Sequence, residues 1–253
     1  VYGWLEKFFI KRIDLMMVEN ATRAGYNEKL YGFYPHVVHN YPIPINVDHI
    51  EKKDLHSMLG LPKDEKILLY QGGIQEGRGL EHLVDAFPHF KEGTLVFIGD
   101  GKIKEGLIQK VKDNGLEEKI KFLPKVPLNE LPSYTKNAYL GFQVLNNICF
   151  NHYSASSNKL FEYMMSQVPV VACDFPEIKK VVEGEEVGVL VDPHKPEDIA
   201  RGVNFLLDHP EKREEYSHNC IEAREKYNWE EEKDAFLTAY VSLDQPNAER
   251  GLA

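Results

Sequence analysis

Residues 156–172, SSNKLFEYMMSQVPVVA, combine a polar loop, a short helix and a buried strand. Either Ser157 or Asn158 can cap the helix, because a side-chain oxygen satisfies free backbone N–H groups at a helix start. Lys159 then lies in the first turn, and Glu162 follows three residues later on roughly the same face. A cation beside open N–H groups favours phosphate, and a carboxylate one turn deeper can accept hydrogen bonds from sugar hydroxyls. The stretch therefore predicts a nucleotide pocket, with phosphate on Lys159 and ribose on Glu162.

Short apolar runs alternate with helical patterns on both sides of this stretch. Strands are predicted at Lys66–Tyr70, Thr94–Ile98, Ile120–Leu123, Tyr139–Val144, Pro169–Cys173 and Val187–Val191. Helices are predicted between them at Gly79–Phe90, Ile103–Asn114, Glu130–Lys136, Asn158–Ser166 and Pro176–Val182. This alternation is typical of parallel βαβ units, and fully apolar strands indicate burial on both faces. We therefore predict an α/β fold with a doubly wound, Rossmann-like parallel sheet that binds ligands beyond the carboxyl ends of its strands.

Two further motifs precede the helix of the opening stretch. Residues 70–80, YQGGIQEGRGL, combine a strand end, a glycine loop and a basic residue, and residues 95–101, LVFIGDG, form a strand that ends in Gly-Asp-Gly. In order and spacing, from about Lys66 to Trp229, the three segments resemble the donor-binding motifs of retaining glycosyltransferases with the GT-B fold, the large group-1 type. The resemblance implies the C-terminal half of a GT-B fold. It also implies transfer of a sugar from a nucleoside-diphosphate sugar to an acceptor with retained anomeric configuration.

The resemblance also implies roles for individual residues. Arg78 and Lys159 would be catalytic, because two cations can hold the diphosphate and stabilise the negative charge that grows on the leaving group. Glu162 would orient the ribose. The other donor-binding candidates are loop and backbone positions: Gly72, Gly73, Val126, Ser157 and Asn158. Val126 lies in a loop whose main chain would read the base, and Gly99-Asp100-Gly101 either makes a tight turn or lines the pocket.

The chain departs from the family pattern at two positions. Many relatives carry two glutamates separated by seven residues, and the position of the first is taken here by Ser154. Relatives often place a second basic residue where this chain has Gly73. The loop of residues 153–158, including Ser154, is still expected to face the donor sugar, but its contacts with that sugar differ from the two-glutamate pattern.

Composition excludes several other classes of protein. A formal charge of −10 over 253 residues argues against nucleic-acid binding, which needs a basic face. No apolar run approaches the ~20 residues of a transmembrane helix. Three widely spaced cysteines fit reduced thiols in the cytoplasm better than a disulfide framework. No Asp-x-Asp pair or His/Cys cluster offers a metal site, so we expect a metal-independent transferase without a cofactor, with the nucleotide sugar as its donor substrate.

The resemblance divides the chain into four parts. Residues 1–41 would be a remnant of the N-terminal acceptor domain, 42–50 the interdomain linker, 51–227 the nucleotide-sugar-binding domain, and 228–253 a return helix and tail. The last ten residues carry no pattern and are expected to lack fixed structure. Because residues 1–41 are too few to form an acceptor site, we expect this chain alone to bind a donor without transferring sugar. The acceptor would be a sugar or a lipid-linked sugar, as in polysaccharide biosynthesis, and peripheral membrane contact through the rest of the first domain is left open.

Two other functions remain open at this point. A doubly wound module can bind a nucleotide or a partner without catalysis. A sugar-nucleotide epimerase shares the fold, although it would need acid–base groups in the cleft, and no convincing pair is seen. Release of nucleoside diphosphate would separate transfer from binding alone.

Overall fold

A computed structural model describes residues 2–241 and residue 243 of the chain. The described residues divide into two compact units. The large unit spans Pro44–Lys226, and the small unit holds the described residues up to Ile43 and from Tyr227 onward. The predicted unstructured tail, residues 244–253, lies outside the described residues. The assignment of residues 1–41 to an acceptor domain stays a prediction.

Helices and strands alternate along most of the described chain. The helices are α1 (Tyr2–Phe9), α2 (Ala21–Tyr31), α3 (Leu55–Leu59), α4 (Leu80–Ala86), α5 (Lys104–Asp113), α6 (Leu131–Thr135), α7 (Phe150–Tyr153), α8 (Asn158–Met165), α9 (Pro176–Gly184), α10 (Pro196–Asp208), α11 (Pro210–Ala223) and α12 (Trp229–Val241). The strands are β1 (Met17–Val18), β2 (His36–Val37), β3 (Ile67–Gln71), β4 (Thr94–Ile98), β5 (Ile120–Leu123), β6 (Ala138–Gln143), β7 (Val170–Cys173) and β8 (Gly188–Val191). Short 3-10 helices cover Ile10–Arg12, Val47–His49 and Phe87–His89.

The large unit is built on a six-stranded sheet in the order β5-β4-β3-β6-β7-β8, and every pair of neighbouring strands is parallel. The predicted doubly wound, Rossmann-like sheet is therefore confirmed. The six strands and five helices predicted for this part of the chain are present close to their predicted bounds. Strand β3 lies between β4 and β6. The strands that follow β3 are added first on one side of it (β4, β5) and then on the other (β6, β7, β8), so the strand order reverses at β3. A ligand crevice is expected at this point, beyond the strand carboxyl ends.

The sheet is buried on both faces. All five residues of β3 are buried, as are all five of β4, which is why these strands are continuous apolar runs. Leu83 of α4, Leu107 of α5 and Val203 of α10 belong to one core cluster with the sheet. Burial of each such side chain stabilises the fold by about 1.5–3 kcal/mol. The sheet is therefore a rigid base for the loops at its carboxyl edge.

Two short helices were not predicted. Helix α3 has five residues, with Asp54 as a cap whose side chain accepts a hydrogen bond from Ser57 N at 3.0 Å. Helix α7 has four residues and ends at Tyr153, where the predicted loop of residues 153–158 begins. Neither is long enough to carry an apolar face of helical period, so only caps and turns indicate them.

The small unit combines the first two strands with three helices. Strands β1 and β2 are parallel to each other, and Asn20 caps α2 by accepting a hydrogen bond from Arg23 N at 2.9 Å. Within this unit, α12 is joined to residues 39–42: the Glu232 carboxylate accepts from His39 N at 2.6 Å, and Trp229 N donates to Pro42 O at 2.8 Å. Helix α1 is followed directly by the 3-10 helix at Ile10–Arg12. Among the described residues, no helix has the length and apolar character needed to cross a bilayer.

Candidate functional site

The glycine loop that follows β3 is held in place by the turn after β4. Gly72 N donates to Ile98 O at 2.9 Å, and Ile74 N donates to Asp100 O at 2.9 Å. A Cβ atom at Gly99 would lie 1.9 Å from Gly72 O, so only glycine allows this approach. Gly72 itself has φ +119°, a conformation that side chains rarely adopt. The Gly99-Asp100-Gly101 turn is therefore a structural support for the loop.

Lys159 lies directly beneath that loop. It is in the first turn of α8 and is 8% exposed. Its Nζ atom is 3.9 Å from the centroid of the Tyr70 ring, and its Cε atom would be 3.4 Å from a Cβ atom at Gly72. The Tyr70 hydroxyl donates to Gly73 O at 2.8 Å, which joins the aromatic ring to the loop above it. The ammonium group is thus held against an aromatic face at the carboxyl edge of the sheet.

The environment of Lys159 disfavours its charged form. Burial, followed by repulsion from the Arg78 guanidinium, lowers the pKa of Lys159 from 10.5 to about 7, while the Glu162 carboxylate opposes this shift. Removing an ammonium from water weakens its charged state, and a like charge nearby adds to the effect. A bound anion would favour the charged form of Lys159 and so oppose both effects.

Arg78 lies between Gly77 and Gly79, just before α4, and its side chain is half-buried. Among the residues that the structure describes, neither the Arg78 guanidinium nor Lys159 Nζ makes a hydrogen bond or ion pair within bonding distance. Buried or half-buried cations are ordinarily paired with acids. Two neighbouring cations without an acid bonded to either are the arrangement expected where a diphosphate binds.

Glu162 is held in place by a chain of hydrogen bonds from the sheet. Its Oε2 atom accepts from Gln71 Nε2 at 2.8 Å, and Gln71 Oε1 accepts from Thr135 Oγ1 at 2.7 Å. Gln71 N donates to the Tyr163 hydroxyl at 3.1 Å, which in turn donates to Leu69 O at 2.8 Å. Because Gln71 fixes one carboxylate oxygen, the Oε1 atom of Glu162 is left to accept bonds from a ligand hydroxyl.

Sequence reasoning had assigned no role to Tyr70, Gln71, Thr135 or Tyr163. One signal was available: Gln71 is a polar residue at the carboxyl end of the otherwise apolar run Ile67-Leu68-Leu69-Tyr70. A buried amide needs partners, so its position predicts a hydrogen-bond network at that edge. The partners themselves come from other elements and could not be read from spacing.

The predicted cap of α8 is partly wrong. Ser157 occupies the N-cap position, but its side chain makes no capping hydrogen bond. Leu160 N instead donates to the backbone oxygen of Ser157 at 3.0 Å. A capping hydroxyl would otherwise accept from this N–H group. Asn158 is the first residue of the helix and is exposed. Because the Ser157 side chain makes no capping bond, an anion can accept from the N–H groups of the first turn that Ser157 O does not occupy.

Two predicted site residues lie apart from this group. Ser154 is fully buried at the end of α7, where its hydroxyl donates to Phe150 O at 2.7 Å. Val126 is half-buried in the loop after β5, which β4 separates from β3. The structure thus brings together Gly72, Gly73, Arg78, Lys159 and Glu162, while Val126 lies further along the same carboxyl edge.

The described part of the chain holds neither a cluster of metal ligands nor a disulfide bond. No group of three or more His, Cys, Asp or Glu side chains among the described residues could hold a metal ion. Cys149, Cys173 and Cys220 are free thiols, and burial raises the pKa of the latter two to about 12.

Comparison with known proteins identifies sequence relatives. The family model described as glycosyl transferases group 1 matches residues 51–223. A D-inositol 3-phosphate glycosyltransferase from Thermomonospora curvata is 28% identical over 204 residues, which is 75% of this chain and 46% of that protein. The chain spans about half the length of the curated relatives it matches.

Two solved structures are similar in fold. Sucrose-phosphate synthase from Thermosynechococcus elongatus has a TM-score of 0.80 at 21% identity, over 96% of this chain and 61% of that one. The HepE protein of Anabaena, solved in complex with UDP, has a TM-score of 0.77 at 17% identity, over 95% of this chain and 67% of that one. The same protein has been solved with UDP-glucose.

Proposed function

The chain belongs to the glycosyl transferases group 1 family, and from this premise we propose that it is the donor-binding part of a sugar transferase. The family and the Rossmann-like fold agree with the prediction from the three motifs. The proposal goes further: this chain binds a nucleoside-diphosphate sugar and contributes to transfer of the sugar with retained anomeric configuration.

The observation that carries the proposal is the pair of cations at the centre of the sheet's carboxyl edge. Lys159 lies under the glycine loop and Arg78 follows it, and neither bonds to an acid among the described residues. A diphosphate would neutralise both charges, and its oxygens would accept hydrogen bonds from the N–H groups at the start of α8. In this proposal it returns Lys159 to its protonated form.

Glu162 is proposed to bind the ribose. Its carboxylate is fixed by Gln71 at 2.8 Å, so no side-chain ordering is needed when two sugar hydroxyls approach. The nucleotide would then lie along the carboxyl edge, with the phosphates at α8 and the base toward the loop of Val126. The main chain of that loop is proposed to read the base.

The chemical role of the cations follows from where charge develops. When the bond between the sugar carbon and the diphosphate oxygen breaks, its electron pair passes to that oxygen, and Arg78 and Lys159 stabilise the resulting negative charge. Two side-chain cations can do this without a metal ion, so we propose a metal-independent reaction. The acceptor hydroxyl would attack from the face that the leaving group vacates, and its proton would pass to the released diphosphate as the new sugar–oxygen bond forms.

Other parts of the proposal concern the protein's setting. UDP is the first donor nucleotide to test, because the solved HepE structures hold UDP and UDP-glucose. The acceptor is proposed to be a sugar or lipid-linked sugar of polysaccharide biosynthesis. Three free thiols support a reduced, cytoplasmic location.

Transfer is tested on the intact protein that carries this chain. Nucleotide-sugar donors are incubated with an acceptor library, released diphosphate is measured, and the anomeric configuration of the product is read by NMR. The proposal expects diphosphate release that depends on acceptor and a retained configuration. Tight nucleotide binding without transfer would favour a non-catalytic module, and conversion of the donor's sugar without release would favour an epimerase.

A further inference from the structure

A polar cavity of about 370 Å³ opens at the amino edge of the sheet, within the large unit. Ala138, the first residue of β6, and Val168, which precedes β7, form part of its floor. The side chains that give it polar character are Lys136, Ser166, Gln167, Arg213 and Ser217. Because β6 and β7 are parallel, this edge is opposite to the one where the candidate donor site lies.

The lining carries two positive charges and no acidic residue. Lys136 Nζ donates to Val47 O at 2.7 Å and to Ile50 O at 3.1 Å, which leaves its third N–H group for another acceptor. Arg213 Nε donates to Tyr139 O at 3.0 Å, and its Nη1 atom pairs with Glu214, whose side chain is 78% exposed. Within the described part of the chain, the Nη2 atom of Arg213 makes no hydrogen bond or ion pair, so both cations keep donors for an anion.

Ser166 gives the cavity a hydroxyl group that a ligand can reach. The residue is 7% exposed and lines the cavity, and its hydroxyl makes no hydrogen bond with any residue that the structure describes. Its oxygen is accessible from the cavity and is free to donate to an anion. Its neighbour Ser217 is already engaged, since that hydroxyl donates to Gln167 O at 2.7 Å.

The end of α8 fixes the position of Ser166 and Gln167 in the cavity wall. Gln167 has φ 60°, in the left-handed region that is uncommon for residues other than glycine. This conformation ends the helix: Gln167 N donates to Met164 O at 3.0 Å and Val168 N donates to Tyr163 O at 3.0 Å. These bonds occupy two of the last helix carbonyls, so those carbonyls do not compete for the cations of the cavity.

We propose that this cavity binds a small phosphate-bearing molecule. A phosphate group can accept from Arg213 Nη2, the Lys136 ammonium and the Ser166 hydroxyl through separate oxygens, and it carries more negative charge than a carboxylate. The cavity volume exceeds that of a phosphate group and leaves room for an organic part of about the size of one sugar. The ligand class is therefore a phosphate ester, with inorganic phosphate as its simplest probe.

The cavity and the candidate donor site are separate. Lys159 lies in the first turn of α8, and Ser166 directly follows its last residue. Eight helical residues span about 12 Å, so one phosphate group cannot reach both. The proposed cavity ligand can therefore be measured with the donor site disabled, and it does not depend on the proposed donor function.

The test measures binding of inorganic phosphate by calorimetry in the Arg78→Gln/Lys159→Met double variant, which lacks the donor-site cations. In this background Ser166→Ala and Arg213→Gln are compared with Lys212→Gln, an exposed neighbour on α11 that is paired with Glu215. We expect one phosphate per chain. We expect affinity to fall by about tenfold in the first two variants, as for loss of a bond to a charged group, and to stay within about twofold in the third.

Ser166→Ala keeps the test decisive if Arg213→Gln fails to fold, because the Ser166 hydroxyl makes no bond within the described chain. Acetate serves as the second probe and should bind at least about tenfold more weakly than phosphate. Absence of phosphate binding in the millimolar range would overturn the proposal. So would equal affinity of Ser166→Ala and Lys212→Gln for phosphate, or equal binding of acetate and phosphate.

Discussion

Nζ of Lys159 lies 3.9 Å from the centroid of the Tyr70 ring, while the hydroxyl of the same tyrosine donates to Gly73 O at 2.8 Å. One aromatic side chain therefore supports a buried cation on its face and a glycine loop at its edge. A ring face attracts a cation, but more weakly than a carboxylate would when the cation is buried. The ammonium group is thus positioned without a bonded acid, and burial, followed by repulsion from the Arg78 guanidinium, lowers its pKa to about 7.

The pKa of Lys159 leads to a pH-dependent affinity for diphosphate. The free chain loses the Lys159 proton above about pH 7, whereas a bound diphosphate favours the protonated form. Binding therefore takes up a proton, and the affinity for UDP should fall by up to ~10-fold per pH unit as the pH rises from 7 toward 9. Calorimetry in buffers of different ionisation enthalpy measures this uptake.

Lys159→Met is the control for that assignment, since it cannot take up the proton. Its UDP affinity should be low and flat across the same pH range. The free energy of unfolding gives a second check: the unfolded lysine holds its proton to a higher pH, so this group makes stability rise with pH above about 7 in the wild type alone. A pH slope retained in Lys159→Met would assign the proton to another group.

Arg78→Gln should weaken diphosphate binding far more than nucleoside binding, because the guanidinium pairs with phosphate oxygens only. In the intact enzyme we expect turnover to fall by ~10²–10³-fold, the scale of losing one electrostatic stabiliser. Lys112→Gln makes the same charge change at the exposed end of α5 and should alter neither quantity. Equal losses for nucleoside and diphosphate would instead indicate a misfolded glycine loop.

Glu162→Ala should weaken nucleotide binding by about 1–3 kcal/mol, the cost of a hydrogen bond to a charged group. Gln71→Leu should weaken it in the same direction without removing the carboxylate, because Gln71 Nε2 holds Glu162 at 2.8 Å. Glu183→Gln, an exposed change on α9, is the matched control. Competition with deoxyribose nucleotides identifies the contact: if Glu162→Ala loses as much affinity for them as for ribose nucleotides, the ribose assignment is wrong.

Gly141→Ala tests how α8 is positioned. A Cβ atom at Gly141 would lie 2.6 Å from the Tyr163 ring, whose hydroxyl bonds to Leu69 O in β3. The added methyl group must displace that ring, so we expect a loss of about 1–3 kcal/mol in the free energy of unfolding, together with weaker UDP binding. Chemical denaturation measures the first effect.

The matched glycine is Gly106 in α5, where an added Cβ atom would meet nothing within 4 Å. Gly106→Ala should stabilise the chain by about 0.5–1 kcal/mol, as alanine does in a helix interior. If both alanine variants behaved alike, the packing of Tyr163 against Gly141 would not hold α8 in place.

Local patterns were sufficient to predict the sheet. Runs such as Ile67-Leu68-Leu69 are buried on both faces, and that burial alone makes them recognisable as parallel strands. The helix at Asn158 was predicted from its polar start at Ser157 and Asn158, residue types that are common at helix N-termini. Lys159 and Glu162 could be placed because their roles follow from their position on one helix.

The remaining features depend on contacts between distant segments. Gln71 and Glu162 are 91 residues apart, and Thr135 reaches Gln71 across 64 residues, so no local spacing connects them. The cap at Ser157 could not be predicted because the choice between its hydroxyl and its carbonyl is made by the local path of the loop. The burial of Ser154 likewise depends on α7, a helix too short to show a pattern.

The central claim is that Arg78 and Lys159 bind the diphosphate of a donor nucleotide. The most direct measurement is calorimetry of this chain with UDP and with uridine, in the wild type and in the Arg78→Gln/Lys159→Met variant. We expect the wild type to bind one UDP at least about 10²-fold more tightly than uridine, and the variant to lose that difference while keeping its weak affinity for uridine. A variant that still prefers UDP to uridine by the wild-type ratio would contradict the claim.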